Sequence, residues 1–339
     1  MTYFLETRNV TKAFGGSGLI HKKATVALEN ISMAIKADPA SITGIAGESG
    51  SGKSTLARLL MGFTHPTEGN VLYQGKDLRR LNREEKRTFR KEVQAVFQDP
   101  FSVYNPFYKI DHALYTPLRK FRIAASQDKA QEMIEGALET IGLNPEETLG
   151  RYPHQLSGGQ RQRIMVARAF LLKPRVILAD EPVSMIDASL RATILQSLRK
   201  LNQEFGISIL YISHDLTTIY QICDHIIVLY RGSVAEVGDV EKVIKEPKHP
   251  YTKLLVESIP KPDPEKRWDP NPVAFADHGS NEKNRGCKFA VTCPFVIPDL
   301  CQVKPPALYR VNRNRAVRCF LYRDAPQIPG AEMGQVMDQ

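Results

Sequence analysis

The sequence has no long apolar run. Nowhere does it approach the roughly eighteen uninterrupted apolar residues that a bilayer-spanning helix needs. The first residues, MTYFLETRNVTKAF, also lack the apolar segment and the small-residue cleavage site of a signal peptide. Both features argue against a membrane-spanning or secreted chain, and we expect a cytoplasmic protein.

The chain is poor in cysteine, with five in 339 residues. A disulfide-stapled scaffold uses more, and the expected compartment is reducing. Disulfide-based folds are therefore disfavoured. Four of the five cysteines nevertheless lie after residue 285.

The sequence also lacks a basic run, although its formal net charge is +9. Lys and Arg are mixed with Asp and Glu, and the densest stretch, residues 79–90, itself contains Glu84 and Glu85. Such a pattern indicates a solvated helix face with a mild attraction to anionic lipid or ATP, rather than a stripe that binds nucleic acid. We expect no nucleic-acid partner.

What the sequence does contain is an alternation of strand and helix patterns. Strands are predicted at 4–10, 27–35, 41–46, 176–179 and 207–212, and helices from about Lys53 and at 127–141, 161–172 and 189–205. The helix at 127–141 has apolar residues at i, i+3, i+4, i+7, i+8 and i+11, and Gly142 ends it. This alternation predicts an α/β protein with a mostly parallel sheet covered on both faces.

Residues 47–55 read GESGSGKST and match the phosphate-binding pattern G-x-x-x-x-G-K-[ST]. The match lies between an apolar strand and a helix, a context that disfavours a chance glycine-rich turn. Backbone N–H groups and the helix N-terminus would face phosphate oxygens, Lys53 would reach the β- and γ-phosphates, and Ser54 would ligate Mg²⁺. The predicted binding residues are Gly47, Ser49, Gly50, Gly52, Lys53, Ser54 and Thr55.

A second strand, in RVILADE, ends in two acidic residues. Asp180 at the strand end is suited to hold Mg²⁺ through water, and Glu181 to polarise the attacking water. An apolar strand that ends in two acids is often structural. The upstream phosphate loop makes the catalytic interpretation the expected one.

The pentapeptide LSGGQ at 156–160, followed by RQRIMVARAF, resembles the signature of the ABC ATPase family. Ser157 is placed to cap a helix whose start faces a phosphate, and Gly158 and Gly159 permit close approach. The resemblance implies that this signature, with Gln160, contacts the γ-phosphate bound by the opposite subunit. One cassette is then half of each active site.

Four further positions are similar to residues that act in this family. Gln98 in VFQDP matches the glutamine that senses Mg²⁺ and touches the membrane subunits, and His214 in YISHD matches the histidine that contacts the γ-phosphate. Asp187 is retained in SMID, where the family usually has SALD. Phe14 in VTKAF resembles the aromatic that stacks on adenine, with a core phenylalanine as the alternative.

The segments YPHQLSGGQRQR, ADEPVSMID, ISHDL and KHPYTKLL resemble the ATPases of oligopeptide and dipeptide importers over about residues 4–325. The resemblance implies ATP and Mg²⁺ as ligands. It also implies a second ATPase subunit (different or identical), two transmembrane permeases and, indirectly, an extracytoplasmic solute-binding protein. The chain would then act at the cytoplasmic face of the cell membrane. Members of this subfamily also import oligosaccharides or nickel, so the solute stays open.

The implied fold is a P-loop NTPase (RecA-like) core with an antiparallel β subdomain and a helical signature-motif subdomain at about 101–165. We expect the nucleotide-binding domain to span 1–258 and a small cysteine-bearing extension to span 259–339. Five prolines in the fourteen residues of IPKPDPEKRWDPNP predict a stiff linker between them.

The extension carries Cys287, Cys293, Cys301 and Cys319 in the spacing C-x5-C-x7-C-x17-C. Its few large apolar residues suggest that a metal substitutes for a core. The spacing lacks the C-x2-C knuckles usual for zinc, which favours a 4Fe–4S cluster, with zinc or free thiols as alternatives. The subfamily tail, which holds such a cluster in some members, often has a histidine where this chain has Arg315.

Two other functions compete with transport. A soluble ABC ATPase of ribosomes or DNA repair would carry two cassettes, long coiled coils or finger insertions, and this chain has one cassette and no long heptad run. A nucleotide-binding regulator without turnover would not need both Glu181 and His214. We therefore expect a transporter ATPase.

Overall fold

The computed structural model describes residues 3–15, 24–259, 286–329 and 332–337. The strands in these ranges are β1 (Leu5–Phe14), β2 (Thr25–Ile35), β3 (Ile42–Ala46), β4 (Glu68–Tyr73), β5 (Lys76–Asp77), β6 (Val93–Val96), β7 (Val176–Asp180), β8 (Ser208–Ile212), β9 (His225–Tyr230), β10 (Ser233–Asp239), β11 (Leu308–Asn312), β12 (Arg315–Val317) and β13 (Gln327–Ile328). The helices are α1 (Lys53–Leu60), α2 (Arg83–Glu92), α3 (Ile110–Phe121), α4 (Gln127–Thr140), α5 (Pro145–Thr148), α6 (Gly158–Phe170), α7 (Ala188–Phe205), α8 (Leu216–Ile222), α9 (Val240–Lys245), α10 (Pro250–Glu257) and α11 (Met333–Val336). Apart from Ile259, the predicted Pro-rich linker lies outside the described residues.

The strands form two sheets. Four of them make an antiparallel sheet in the order β2-β1-β4-β5, and nine make a second sheet in the order β13-β11-β12-β10-β9-β3-β8-β7-β6. In the second sheet, β9, β3, β8, β7 and β6 run parallel, whereas β10 to β13 pair antiparallel. The prediction of an α/β fold with a mostly parallel central sheet is confirmed for the part of the chain that precedes β10.

The elements predicted from periodicity are close to those observed. Helix α4 begins at Gln127 because the Ser126 hydroxyl accepts a hydrogen bond from the Lys129 amide, and its apolar stripe is buried. Helix α6 begins three residues earlier than its apolar pattern predicts, because Ser157 caps it at Gly158. A cap therefore locates a helix start more closely than periodicity does.

The central sheet separates two hydrophobic clusters. One contains apolar residues of α3, α4, α6, α7 and α8, such as Leu114 and Leu198. The other joins α1 to the antiparallel sheet through residues such as Leu56 and Ile31. Layers on both faces fix the carboxyl ends of β3, β7 and β8, at which the candidate site lies.

The C-terminal segment continues the central sheet, and its cysteine-bearing turns form a small cluster of their own around Ala290, Cys301 and Phe320. β12 pairs with β10 at Glu236↔Val317 and Gly238↔Arg315, and β11 pairs with β12. Leu308, Ala316 and Ile328 are buried in the same cluster as α1. Strands β11 to β13 therefore share the core of the main sheet and need no metal in its place, whereas the expectation of a metal at the cysteine-bearing turns stays a prediction.

Arg315 has a role that the sequence did not reveal. Its side chain is 1% exposed and forms a salt bridge with Glu236, which is fully buried in β10. A guanidinium N–H also donates to the Glu246 carbonyl. Glu236 in turn accepts from the backbone amides of Lys248 and His249. The pair therefore joins β12, β10 and the start of α10 in one buried network.

Within the described ranges, no helix combines the length and the apolar character that crossing a bilayer requires.

Candidate active site

The candidate side chains gather where the parallel strands end. The phosphate loop follows β3, Asp180 is the last residue of β7, His214 lies two residues after β8, and Gln98 lies two residues after β6. In the ladder, Asp180 is opposite Ile212, and Val96 is opposite Ala179. The carboxyl ends of parallel strands meet at one edge of a sheet, and that edge is where α/β proteins usually bind ligands.

The loop after β3 takes a conformation that only glycine permits at two positions. Gly47 has φ 148°, and a Cβ there would lie 2.3 Å from the Leu229 carbonyl oxygen. Gly52 has φ 104° and caps α1, and a Cβ there would lie 2.6 Å from the Ala27 carbonyl oxygen. The loop thus fits tightly against β2 and β9, which fixes the start of α1 in its position.

Lys53 folds back over this loop. It is buried, and its Nζ donates to the Gly47 carbonyl at 2.6 Å and to the Glu48 carbonyl at 2.7 Å. Burial lowers the pKa of Lys53, whereas the negative charges of Glu181, Asp180 and Glu48 oppose that effect. The ammonium group therefore lies at the centre of an acidic cluster, with its position set by two loop carbonyls.

Asp180 is half-buried beside the loop. Its pKa is raised, first by burial and then by the neighbouring Glu181, while Lys53, Arg58 and a hydrogen bond with Ser54 act in the opposite sense. One carboxylate oxygen, Oδ1, is buried without a hydrogen-bond partner among the described residues. A carboxylate oxygen and a hydroxyl placed together are ligands that Mg²⁺ prefers. The pair of Ser54 and Asp180 fits a magnesium ion.

Glu181 and His214 face each other across β7 and β8. His214 Nδ1 lies 2.9 and 2.8 Å from the two carboxylate oxygens of Glu181. Glu181 has φ 47°, a left-handed conformation that is uncommon for a residue with a Cβ and that turns the chain sharply after β7. Its amide donates to the Ile212 carbonyl at 2.9 Å. A strained, anchored carboxylate in contact with an imidazole is typical of a catalytic base and its orienting group.

The signature segment forms the start of α6. The Ser157 hydroxyl accepts from the Gln160 amide, and the Gln160 side chain accepts from the Ser157 amide, which completes a capping box. The predicted capping role of Ser157 is confirmed. Gly159 faces α7 of its own chain, where an added Cβ would lie 2.8 Å from Leu190 Cδ1. Packing against α7 therefore explains why residue 159 is a glycine, whereas the sequence had suggested close approach to a ligand as the reason.

The remaining predicted contacts lie on the surface. Phe14 ends β1, is 47% exposed and has the Lys12 ammonium 5.1 Å from its ring centre, so the alternative of a core phenylalanine is wrong. Gln98 and Asp187 are also exposed. In the described part of the chain, neither Ser157 nor Gly158 is hydrogen-bonded to a residue of the phosphate loop. The chain therefore presents the signature separately from its own loop.

The four late cysteines come together around one small cavity. Cys287, Cys293, Cys301 and Cys319 line one cavity of about 10 Å³, and the Cys287 amide donates to the Cys301 carbonyl at 2.7 Å. Among the residues that the structure describes, no three His, Cys, Asp or Glu side chains are grouped to hold a metal ion. Burial raises the pKa of Cys319 to about 12, and it also raises those of Cys287 and Cys293. In this arrangement, burial disfavours the thiolate form of these three cysteines.

Comparison with known proteins decides the family. The profile "ABC transporter" matches residues 28–184, and the profile "Oligopeptide/dipeptide transporter, C-terminal region" matches residues 235–301. The putative oligopeptide transport ATP-binding protein YkfD of Bacillus subtilis is 39% identical over 284 residues, which cover 83% of this chain and 86% of that protein. The chain belongs to the ABC transporter ATPases.

Other relatives of this ABC ATPase agree. The oligopeptide transport ATP-binding protein OppF of Salmonella typhimurium is 38% identical over 82% of this chain and 83% of that protein. Among solved structures, the ATP-binding cassette MJ0796 in a dimeric post-hydrolysis state with ADP and Pi has a TM-score of 0.61 at 30% identity, and covers 70% of this chain and 98% of that chain. The P-loop NTPase fold and ATP as the substrate, both predicted from the sequence, are confirmed.

One contact of the ABC ATPase was not predicted. The Tyr251 hydroxyl accepts a hydrogen bond from the Glu48 amide in the phosphate loop at 3.1 Å. The HPY segment at 249–251 was recognised only as the start of the extension. Residues 203 positions apart give no local signal of such a contact.

Proposed function

We propose that this ABC ATPase energises the import of peptides from the cytoplasmic face of the cell membrane, together with a second cassette, two permease subunits and, indirectly, a solute-binding protein. The observation that carries the proposal is the match of residues 235–301 to the C-terminal region of oligopeptide/dipeptide transporters, a region that the general ABC profile at 28–184 does not include. Relatives such as YkfD and OppF are named for oligopeptide transport.

Uptake by living cells tests this proposal. A strain that lacks the gene should lose ATP-dependent uptake of labelled di- and oligopeptides, and the wild-type gene should restore it. A gene that carries Lys53→Ala should not restore uptake, because the variant lacks the ammonium group that lies over the phosphate loop. Loss of oligosaccharide or nickel uptake with unchanged peptide uptake would assign the motor to another solute.

The nucleotide lies, in this proposal, on the loop at 47–55 with its phosphates at the start of α1. Lys53 exchanges its bonds to the Gly47 and Glu48 carbonyls for bonds to phosphate oxygens, and Phe14 offers an exposed ring to the adenine. Glu181 orients and polarises the attacking water, and His214 orients Glu181 and reaches the γ-phosphate. Ser54, Asp180 and Gln98 hold the magnesium ion, which neutralises phosphate charge when bound.

The second cassette contributes the missing half of each site. The support is that Ser157 and Gly158 start α6 at the surface without a hydrogen bond to the described residues of their own phosphate loop. An exposed helix start with a fixed capping box suits a phosphate held by a partner. The residues proposed to contact the partner's nucleotide are Ser157, Gly158, Gly159, Gln160 and Asp187. All of them belong to the nucleotide-binding domain, which we propose spans 1–258.

Activity should therefore depend on assembly. The isolated chain is expected to hydrolyse ATP at no more than about a tenth of the rate per site that it reaches with its partner cassette, because one of two phosphate-stabilising groups is absent. ATPase assays at several chain concentrations, with sedimentation under the same conditions, measure this. A monomer that is fully active in those conditions contradicts the two-cassette proposal.

The extension, residues 259–339, carries the proposed metal site. We propose that Cys287, Cys293, Cys301 and Cys319 hold one 4Fe–4S cluster with a structural role. The support is that four thiols line one cavity. Four thiolates are the ligand set that iron–sulfur clusters use, and thiols release their protons when they bind such a group.

Metal analysis distinguishes the cluster from zinc. Anaerobically purified protein should be brown and contain iron and sulfide in equal amounts, and Cys301→Ser should remove both. The matched control is Cys223→Ala, a buried cysteine in the main domain, which should keep the iron. One zinc per chain without iron would mean that the site binds zinc instead of a cluster. Wild-type protein without any metal would mean that the cysteines are free thiols.

A further inference from the structure

The start of the phosphate loop is hydrogen-bonded to a residue of α10. Tyr251, in the first turn of α10, is fully buried and its hydroxyl oxygen accepts from the Glu48 amide at 3.1 Å. Glu48 is the second residue of the loop, so the bond fixes the loop where it leaves β3.

Glu48 connects Tyr251 to Lys53, because its backbone is hydrogen-bonded to both side chains. The Glu48 amide is bonded to Tyr251, while the Glu48 carbonyl accepts from Lys53 Nζ at 2.7 Å. In a phosphate loop the amides nearer the helix face the phosphates, and the amide of Glu48 is here satisfied by a protein hydroxyl. The position of the Glu48 peptide therefore sets both the entry of the loop and the site of the Lys53 ammonium.

The ring of Tyr251 packs against two other aromatic rings, those of Tyr230 and Phe289. Its ring centre lies 4.4 Å from that of Tyr230 in β9 and 5.7 Å from that of Phe289, and Tyr230 and Phe289 are 5.4 Å apart. Its amide donates to His249 Nδ1 at 3.0 Å, which caps α10. Phe289 is buried and lies two residues after Cys287. The cysteine-bearing segment thus packs directly against the residue that holds the loop.

We propose that Tyr251 is a positioning residue for ATP binding, and that Phe289 makes ATP affinity depend on how the cysteine-bearing segment is packed. The proposal rests on the assignment of the loop at 47–55 as the phosphate site. Its physical basis is preorganisation: a loop already fixed in its binding conformation loses less freedom when the nucleotide arrives. Without the hydroxyl, the amide of the half-buried Glu48 loses its partner, and the loop shifts to find another one.

Tyr251→Phe tests the first part, because it keeps the ring and removes only the hydroxyl. The control is Tyr322→Phe, which also removes only a hydroxyl. That hydroxyl donates to the Lys248 carbonyl at 3.2 Å, near the start of α10, and not to the phosphate loop. Tyr251→Phe should raise the Kd for Mg–ATP about 5- to 10-fold, with kcat at saturating ATP within about twofold of wild type. Tyr322→Phe should leave the Kd unchanged.

A merely structural role gives a different pattern. Both variants would then lower the melting temperature by similar amounts, and the Kd for Mg–ATP would stay within about twofold of wild type in each, which overturns the proposal. Lys53→Ala serves as the reference for the phosphate site itself. If wild type does not bind Mg–ATP, or Lys53→Ala binds it equally well, the assignment of the loop fails rather than the role of Tyr251.

Phe289→Leu tests the second part without altering the loop or Tyr251. A smaller side chain loosens the packing around the Tyr251 ring, and the Kd for Mg–ATP should rise about two- to fourfold in the complete chain. Val291→Ala, at an exposed position in the same turn, is the control and should have no effect. An unchanged Kd in Phe289→Leu overturns the dependence on the cysteine-bearing segment.

Discussion

Glu181→Gln is expected to reduce kcat for ATP hydrolysis by about 10²- to 10⁴-fold while the Kd for ATP stays within about twofold of wild type. The amide keeps the size of the side chain but cannot accept a proton from water or hold the negative charge that polarises it. The carboxylate is anchored by a left-handed backbone at Glu181 and by the His214 contact at 2.8 Å, so its orientation is fixed.

Two variants control this result. Glu204→Gln, an exposed residue in the last turn of α7, changes the same functional group and should leave kcat unchanged. His214→Ala should lower kcat less than Glu181→Gln, because it removes the orienting ring and keeps the base. Single-turnover hydrolysis with equilibrium ATP binding measures both quantities. Near-normal turnover in Glu181→Gln would assign the catalytic role elsewhere, with His214 as the next candidate.

Arg315→Met is expected to destabilise the chain by about 3–5 kcal/mol, because it leaves the carboxylate of Glu236 buried without its partner. Both side chains are shielded from water, at 1% and 0% exposure, so the lost charge pair is not compensated by solvent. The Lys248 and His249 amides still donate to Glu236, which sets the lower end of this range. The segment containing β11 and β12 should loosen first.

Urea unfolding of three variants distinguishes the contribution of the Arg315–Glu236 charge pair to stability from that of side-chain packing. Arg315→Met and Glu236→Gln should each lower the unfolding midpoint, whereas the double variant should recover part of the loss, since neither buried charge remains. Lys129→Met breaks a salt bridge with Glu132 in which both side chains are exposed, and should cost less than about 1 kcal/mol. A loss in Arg315→Met no larger than in Lys129→Met would contradict the buried-pair account.

The parts of the site that depend on local chemistry could be predicted from the sequence. Lys53 and Asp180 each follow from a short pattern at the end of an apolar strand, and Ser157 follows from a cap with Gln160 three residues later. In each case a few adjacent residues determine both the backbone conformation and the chemistry. That is why the sequence placed these residues correctly on their elements.

The parts that depend on distant contacts could not be predicted. Arg315 carried a local signal only as a departure from a resemblance, and its partner Glu236 lies 79 residues away. Strands β11 and β12 are short, and their burial comes from pairing with β10 rather than from their own pattern. Tyr251 belongs to a recognised motif, yet nothing near it indicates the phosphate loop as its neighbour.

The C-terminal segment shows how one such contact changes an argument. Counted alone, its few large apolar residues suggested a metal in place of a core. Ala316 and Leu308 are buried against the main domain, so β11 and β12 obtain their core from the sheet that they extend, whereas the cysteine-bearing turns have a small cluster of their own. The four cysteines are therefore not required for folding of β11 and β12, and a bound cluster would stabilise the turns at 287–301 instead.

The most direct test of the central claim is ATP-driven transport by the reassembled complex. The chain, its partner cassette and the two permeases are reconstituted in vesicles with the cassettes outside and the solute-binding protein with labelled peptide inside. External Mg–ATP should move peptide outward from the lumen at a rate that follows ATP hydrolysis, and Glu181→Gln should abolish both. Hydrolysis that proceeds without any peptide movement, or peptide movement that persists in Glu181→Gln, would contradict the account.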